Sequence, residues 1–460
     1  MGPQPTIGKG PSGPVVEDSV GPRVGRDDNG ISTIGLVAVA LGFAALILTG
    51  AGLRSAGTDD AQAPITLPPS TLPLPTTTTT PPITLPPSTL PPVPPAPTEP
   101  RPGGATAIVE PLGPVGCPTG ERLEFCEMVA FVEQETGRSF RSFPVIELEA
   151  SDDFEARLLA DLHESQSDID RDGHLFTALG LLAPEDDLYT SMRGLLGVGV
   201  VGFYAPETDE LVVRGNTVTP YVAETVTHEL VHALDDQWYG LHRPVYEDRS
   251  DEVGFGFAAL VEGHALQIQD RWREAQPAEV RLDASTEQLA YVSDIDVSRF
   301  PVMALRLISA PYLHGPAFVA ALDTAGIDLA EPFAAPAVSS EQVLHPERYL
   351  AAELPVVVTN PPADGEVVAE GTLGEFLLRQ VLTVHLGDAQ RASGVADGWA
   401  GDRYTTWIGA EGADCVRVDL VADTDRDLRE LVGAFAALAS VDPAWKVDDH
   451  GTALRVEACR

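Results

Sequence analysis

Basic residues are scarce in this chain. It carries 29 Lys and Arg against 69 Asp and Glu, a formal net charge of -40 over 460 residues. A surface this acidic repels phosphate backbones and anionic lipid headgroups, which argues against nucleic acid as a partner and for a strongly solvated exterior. Cysteine is almost as sparse, with four in the whole chain. Neither Cys117 with Cys126 nor Cys415 with Cys459 has the C-x-x-C spacing of a thiolate zinc site, so they read as two disulfides, Cys117–Cys126 and Cys415–Cys459, of an oxidising compartment. With 44% hydrophobic residues the chain can nonetheless bury a full core.

A third absence is local. Residues 31–53 contain no charge and form an apolar run long enough to span a bilayer. A cleaved signal peptide would want a shorter leading region and a shorter apolar core. The run is therefore expected to be one transmembrane helix. Lys9, Arg23 and Arg26 before it outnumber Arg54 after it, which places residues 1–30 in the cytoplasm as a disordered tail and the remainder outside. Residues 54–104 are rich in Pro, Thr, Ser and Leu, and 65–73 recurs as 83–91. Such a segment is expected to be a disordered tether in extended polyproline II form, about 3 Å per residue. Residues 105–460 are left as one extracytoplasmic domain of a single-pass cell-membrane protein.

What is present centres on His228-Glu229-Leu230-Val231-His232. On a helix, residues four apart share a face, so both imidazoles reach one ion while Glu229 points at the adjoining coordination position. Thr219-Pro220 is a suitable helix start, and Val222, Val226, Leu230, Ala233 and Leu234 recur at helical spacing to give a buried face beside the histidines. A catalytic zinc keeps three protein ligands and an open position. No histidine follows at the H-x-x-G-x-x-H spacing of metzincins, because Asp235, Asp236, Gln237, Trp238 and Tyr239 come next. The next apolar helical stretch, 253–268, holds one carboxylate in its middle, Glu262. A lone charge there needs a partner, and a metal on a neighbouring helix supplies one. Glu262 is thus the expected third ligand, with His264 as its rival. Asp236, one turn after His232, is placed to orient an imidazole.

The segment His228-Glu229-Leu230-Val231-His232-Ala233-Leu234-Asp235-Asp236-Gln237, followed by Leu260-Val261-Glu262-Gly263-His264-Ala265, resembles a family of bacterial zinc metallopeptidases of the gluzincin type. Further matches are Gly202-Phe203-Tyr204, the run from Ser340 through His345 and Tyr349, Thr372-Leu373-Gly374-Glu375, and Trp399-Ala400-Gly401-Asp402-Arg403-Tyr404. The resemblance spans about half the chain. It implies a peptidase-like zinc site in a zincin-like, mainly helical α+β domain, here preceded by the transmembrane helix and the Pro/Thr-rich linker.

Zn2+ held by His228, His232 and Glu262 is expected to lower the pKa of its bound water, with Glu229 as the catalytic base acting on a peptide or protein substrate. His345, Tyr349, Arg403 and Tyr404 are candidates to donate hydrogen bonds to an oxyanion. Two other readings stand beside this one. One is a surface binding module with a structural metal, and the other is a zinc amidase acting on cell-wall material.

The remaining chain is read more coarsely. Residues 198–204 and 211–214 are expected to form a hairpin whose edge could pair with an extended peptide. Asp168-Ile169-Asp170-Arg171-Asp172-Gly173 resembles a calcium-loop start, but position twelve is Leu179 instead of glutamate, so an acidic helix is expected. Thr372 and Glu375 have capping-box spacing. The tail from 416 reads strand, helix, strand and is expected to finish the sheet.

Overall fold

The computed structural model describes Val37, Ala38 and residues 114–164, 166–243 and 252–460. The first sheet is built from β1 (Val37–Ala38), β2 (Val145–Glu149), β3 (Gly202–Ala205) and β4 (Glu210–Arg214), in the order β1-β3-β4-β2. Between these strands lie α1 (Leu123–Thr136), α2 (Ser151–Glu164), α3 (Gln166–Ala178) and α4 (Leu188–Gly199). The expected hairpin is present as antiparallel β3 and β4, with Phe203 opposite Val212. It begins later than the hydrophobic run indicates, because Val198 and Gly199 complete α4. The acidic segment at Asp168 to Gly173 lies within α3, as an uninterrupted helix.

The expectation of a membrane-crossing helix at 31–53 is overturned. Val37 and Ala38, inside that run, are strand, paired antiparallel with Tyr204 and Phe203. Among the described residues no helix is long and apolar enough to cross a membrane. The physical reason is that an uncharged run carries no period separating helix from strand. The outer edge of β3 presents unpaired N–H and C=O groups that such a run can satisfy. The same pairing occupies the edge expected to be open to an extended peptide, and β2 occupies the other side of the hairpin, parallel to β4. The expected tail 1–30 and tether 54–104 lie outside the described residues.

Four long helices follow: α5 (Pro220–Tyr239), α6 (Glu252–Ala275), α7 (Ala278–Ser293) and α8 (Val302–Ala325). Short helices α9 (Ala330–Ala334), α10 (Ser340–Leu344) and α11 (Pro346–Leu350) lead to the C-terminal unit. That unit contains β5 (Glu366–Gly371), α12 (Gly374–Leu386), α13 (Ala389–Ala396), β6 (Trp399–Ile408), β7 (Asp414–Ala422), α14 (Asp425–Val441), β8 (Trp445–Asp449) and β9 (Leu454–Cys459). Its strands form a separate antiparallel sheet in the order β5-β6-β7-β9-β8, so the tail builds a second sheet and does not complete the first. Cys415 and Cys459 face one another in the β7–β9 register and are joined, as are Cys117 and Cys126 near the start of α1. The fold is α+β.

The Thr372–Glu375 capping box does not form. Asp402 of β6 accepts from the backbone N–H of Leu373 and Gly374 at 2.8 and 2.9 Å, and from Trp399 Nε1 at 2.7 Å. A buried carboxylate already satisfies the helix start, so Glu375 turns instead to His345 and Arg379.

Helix α5 starts where Thr219 Oγ1 accepts from the N–H of Val222 and Pro220 occupies the first turn. Its Val226, Leu230, Ala233 and Leu234 share one buried cluster with Tyr204, Leu211 and Val213 of the first sheet. Helix α6 lies between α5 and α8, and its contact with α8 is backbone on backbone. A Cβ placed at Gly263 would stand 2.4 Å from the Gly315 carbonyl, and one at Gly315 would stand 2.2 Å from Ala259 O. Main chain cannot step aside as a side chain can. Gly315→Ala is therefore expected to lower the urea unfolding midpoint by the equivalent of about 3 kcal/mol. An unchanged midpoint would show that the two helices have room to part.

Candidate metal centre

His228, Glu229 and His232 sit in the middle of α5, and all three side chains are buried. Glu262 projects from the middle of α6, 6% exposed. The two imidazole rings meet edge to face with centroids 4.6 Å apart. His228 Nε2 lies 3.1 Å and His232 Nε2 3.6 Å from Glu262 Oε2. One ligand atom from each residue falls within 4.8 Å of the others, so the group could hold a metal ion.

Hydrogen bonding around the trio indicates what it lacks. His228 Nδ1 is 2.9 Å from Gln269 Oε1, an acceptor, so the proton belongs on Nδ1 and the Nε2 lone pair faces Glu262. Glu262 Oε1 accepts from Tyr312 Oη at 3.0 Å, which leaves Oε2 to face the imidazoles. His232 makes no hydrogen bond among the described residues. Three acceptors thus converge in a dry pocket, a costly arrangement unless a cation stands among them. A single proton can be shared between two of them only. Burial pushes the pKa of His232 down, which disfavours a proton on it. Burial alone would raise the Glu262 carboxyl, but the two imidazoles beside it outweigh that and hold the group at about 2. A neutral, orphaned imidazole beside an ionised carboxylate is the donor set that a divalent ion with nitrogen and oxygen ligands accepts, so the residues fit a metal.

Glu229 lies on the face of α5 turned toward β3. A Cβ built at Gly202 would be 2.7 Å from Thr225 Cγ2 and 3.5 Å from Glu229 Cγ, so glycine at 202 lets the strand close down on the helix beside this carboxylate.

The rival ligand His264 is engaged elsewhere, with Nδ1 at 2.7 Å from Asp235 Oδ2, both residues buried. Asp236 turns away from the imidazoles. Its Oδ2 accepts from Tyr204 Oη at 2.9 Å and its Oδ1 from the Leu241 N–H at 2.5 Å, tying the end of α5 to β3. The residues considered as oxyanion donors also have other partners. Tyr349 Oη donates to Ala335 O at 2.9 Å, Arg403 Nε donates to Asn360 Oδ1 at 2.6 Å, and Tyr404 is buried in the core that includes the second sheet.

His345 joins a second group, with Nε2 3.1 Å from Glu375 and 3.8 Å from Asp397. These three also have metal-ligand spacing. Arg379 Nη2 stands in the same group, 3.0 Å from Glu375 Oε1 and 3.4 Å from Asp397 Oδ1. The hydrogen bond that His345 itself makes to Glu375 raises the pKa of the imidazole. With a guanidinium already present and the histidine favoured as a cation, this is an ion-pair network.

Two residues that shape the centre were not read from the sequence. Gln269 carried a usable signal, since it lies seven residues after Glu262 and so on the same face of α6. Tyr312 carried none, because it comes from α8 and meets Glu262 only through the close helix contact.

Comparison with known proteins reaches the C-terminal unit and not the centre. Residues 362–458 match a family described as a domain of unknown function (DUF8575). That segment is the second sheet with its helices, and it contains none of His228, His232 or Glu262. No curated protein and no solved structure matches the chain.

Tyr312 fixes which oxygen of Glu262 faces the imidazoles, so Tyr312→Phe is expected to weaken the binding of an added divalent metal ion about 10- to 100-fold, read by competition with a chromogenic chelator. Equal affinity in parent and variant would show that the hydroxyl does not position the ligand.

Proposed function

We propose that the chain is a zinc-dependent hydrolase of peptide bonds, related to the gluzincin-type metallopeptidases it resembles. The observation that carries this reading is the convergence of three buried acceptors, His228 Nε2, His232 Nε2 and Glu262 Oε2, with a carboxylate one residue from the first. A structural site would have no use for Glu229, which is not a member of the ligand group. Zinc bound by the three residues would polarise the scissile carbonyl and acidify water at neutral pH.

The residues of the chain divide the remaining work. Glu229 takes a proton from the attacking water as its oxygen bonds to the carbonyl carbon. It then delivers that proton to the amine nitrogen as the C–N bond breaks, so that one water is consumed and an acid and an amine leave. Gln269 holds His228 in the tautomer that presents Nε2, and Tyr312 holds Glu262 by its other oxygen. The residues around the trio are buried, and the low local polarity strengthens each of these interactions. The two disulfides support action in an oxidising compartment.

Elemental analysis and a digest of a mixed peptide pool test the reading together. The parent is expected to carry one zinc per chain and to cleave peptides. Glu229→Gln is expected to keep the zinc while turnover falls about 10²- to 10⁴-fold. A parent that takes up no zinc after supplemented purification would remove the catalytic reading. A zinc-loaded parent that releases product from cell-wall fragments but not from peptides would move the activity to a non-peptide amide.

A further inference from the structure

Two glycines of the C-terminal unit lack the usual reasons for being glycine. Gly394 lies within α13 and Gly433 within α14, where glycine is less favourable than alanine because it loses more backbone freedom on folding. A glycine is retained inside a helix when its φ is positive or when another atom comes close. Neither residue has a positive φ, and a Cβ built at either would meet nothing within 4 Å. Both open onto one cleft of about 540 Å³ between the two helices.

The walls of that cleft carry Arg391, Arg426 and Arg429, with Glu430 the one acid among the lining residues. Arg426 Nε donates to Glu430 Oε1 at 2.9 Å. The side chains of Arg391 and Arg429 make no ion pair or hydrogen bond with the described residues. Both arginines are exposed, and carboxylates that could pair with them are plentiful in a chain of net charge -40. Arg157, for comparison, contacts Glu147, Glu149 and Glu210, and Arg348 contacts Glu341, Glu353 and Asp423.

We infer that the cleft between α13 and α14 binds a small anionic ligand bearing carboxylate or phosphate groups. Arg391 and Arg429 grip the anionic ends, and the body of the ligand passes close over Gly394 and Gly433. A guanidinium offers parallel N–H donors that match either anion two at a time, which a single point charge cannot do. The approach of the ligand is the close contact that keeps both positions glycine. The cleft lies inside the segment matched by the family of unknown function, so anion binding belongs to that unit and does not depend on the metal centre.

Thermal unfolding and calorimetric titration of the whole protein test this, with glutarate and inorganic phosphate as probes and sodium chloride at matched ionic strength as the control. At least one probe is expected to raise the unfolding midpoint above the chloride control and to give a saturable heat. Both effects should vanish in the Arg391→Ala/Arg429→Ala double variant. They should vanish equally in Gly433→Leu, which keeps the arginines and fills the cleft. Response to glutarate alone assigns a carboxylate ligand, and response to phosphate alone assigns a phosphate. A parent that responds to neither probe beyond chloride overturns the inference, as does a response that persists in Gly433→Leu.

Discussion

The repulsion between lone pairs in a dry pocket is the constraint on which the centre depends. His228, His232 and Glu262 each turn an acceptor toward the same point, and all three side chains are buried. In an apolar interior such an arrangement is stable only with a cation, so the protein carries a standing electrostatic demand that folding alone leaves unmet. The outer bonds sharpen that demand. Gln269 removes the other tautomer of His228, and Tyr312 removes the other oxygen of Glu262, so neither residue can turn away to relieve the crowding.

The scaffold explains how a demand of this kind is tolerated. Helix α5 is held on one side by the hairpin of β3 and β4, through a cluster that includes Tyr204, Leu211, Val226 and Leu230. Helix α6 is held on the other side by main-chain contact with α8 at Gly263 and Gly315. Other polar groups on these helices are spent on anchoring. Asp236 bonds back to Tyr204 and to the Leu241 N–H, and His264 bonds to Asp235. The acidic residues that follow the second histidine therefore serve the frame, while the groups that face the imidazoles come from farther away in the chain.

How much of this was legible follows from the range of each signal. Helical spacing is local, so His228, Glu229 and His232 could be placed on one helix and Glu262 singled out as a lone carboxylate in an apolar stretch. Both disulfide pairings follow from the cysteine count, since four cysteines without thiolate-zinc spacing read most simply as two bridges. Contacts between distant helices leave no periodic trace, and Tyr312 was invisible for that reason. Motif likeness carries no contacts: His345, Tyr349, Arg403 and Tyr404 stand in recognisable runs, and their partners here are Glu375, the Ala335 carbonyl, Asn360 and the second core. The uncharged run around Val37 reads as helix because hydrophobicity reports burial without reporting backbone geometry, and a sheet edge can use such a run as readily as a membrane can.

The contact between Gly263 and Gly315 also bears on how this protein can change over generations. In most cores a larger side chain on one element can be accommodated by a smaller one opposite. Here the residue opposite is already the smallest available, on both sides, and the obstructing atoms belong to the main chain. No second-site substitution can restore the fit. The two positions are therefore closed to gradual drift, and the helix pair that carries Glu262 and Tyr312 must be inherited as a unit or rebuilt by moving a whole helix.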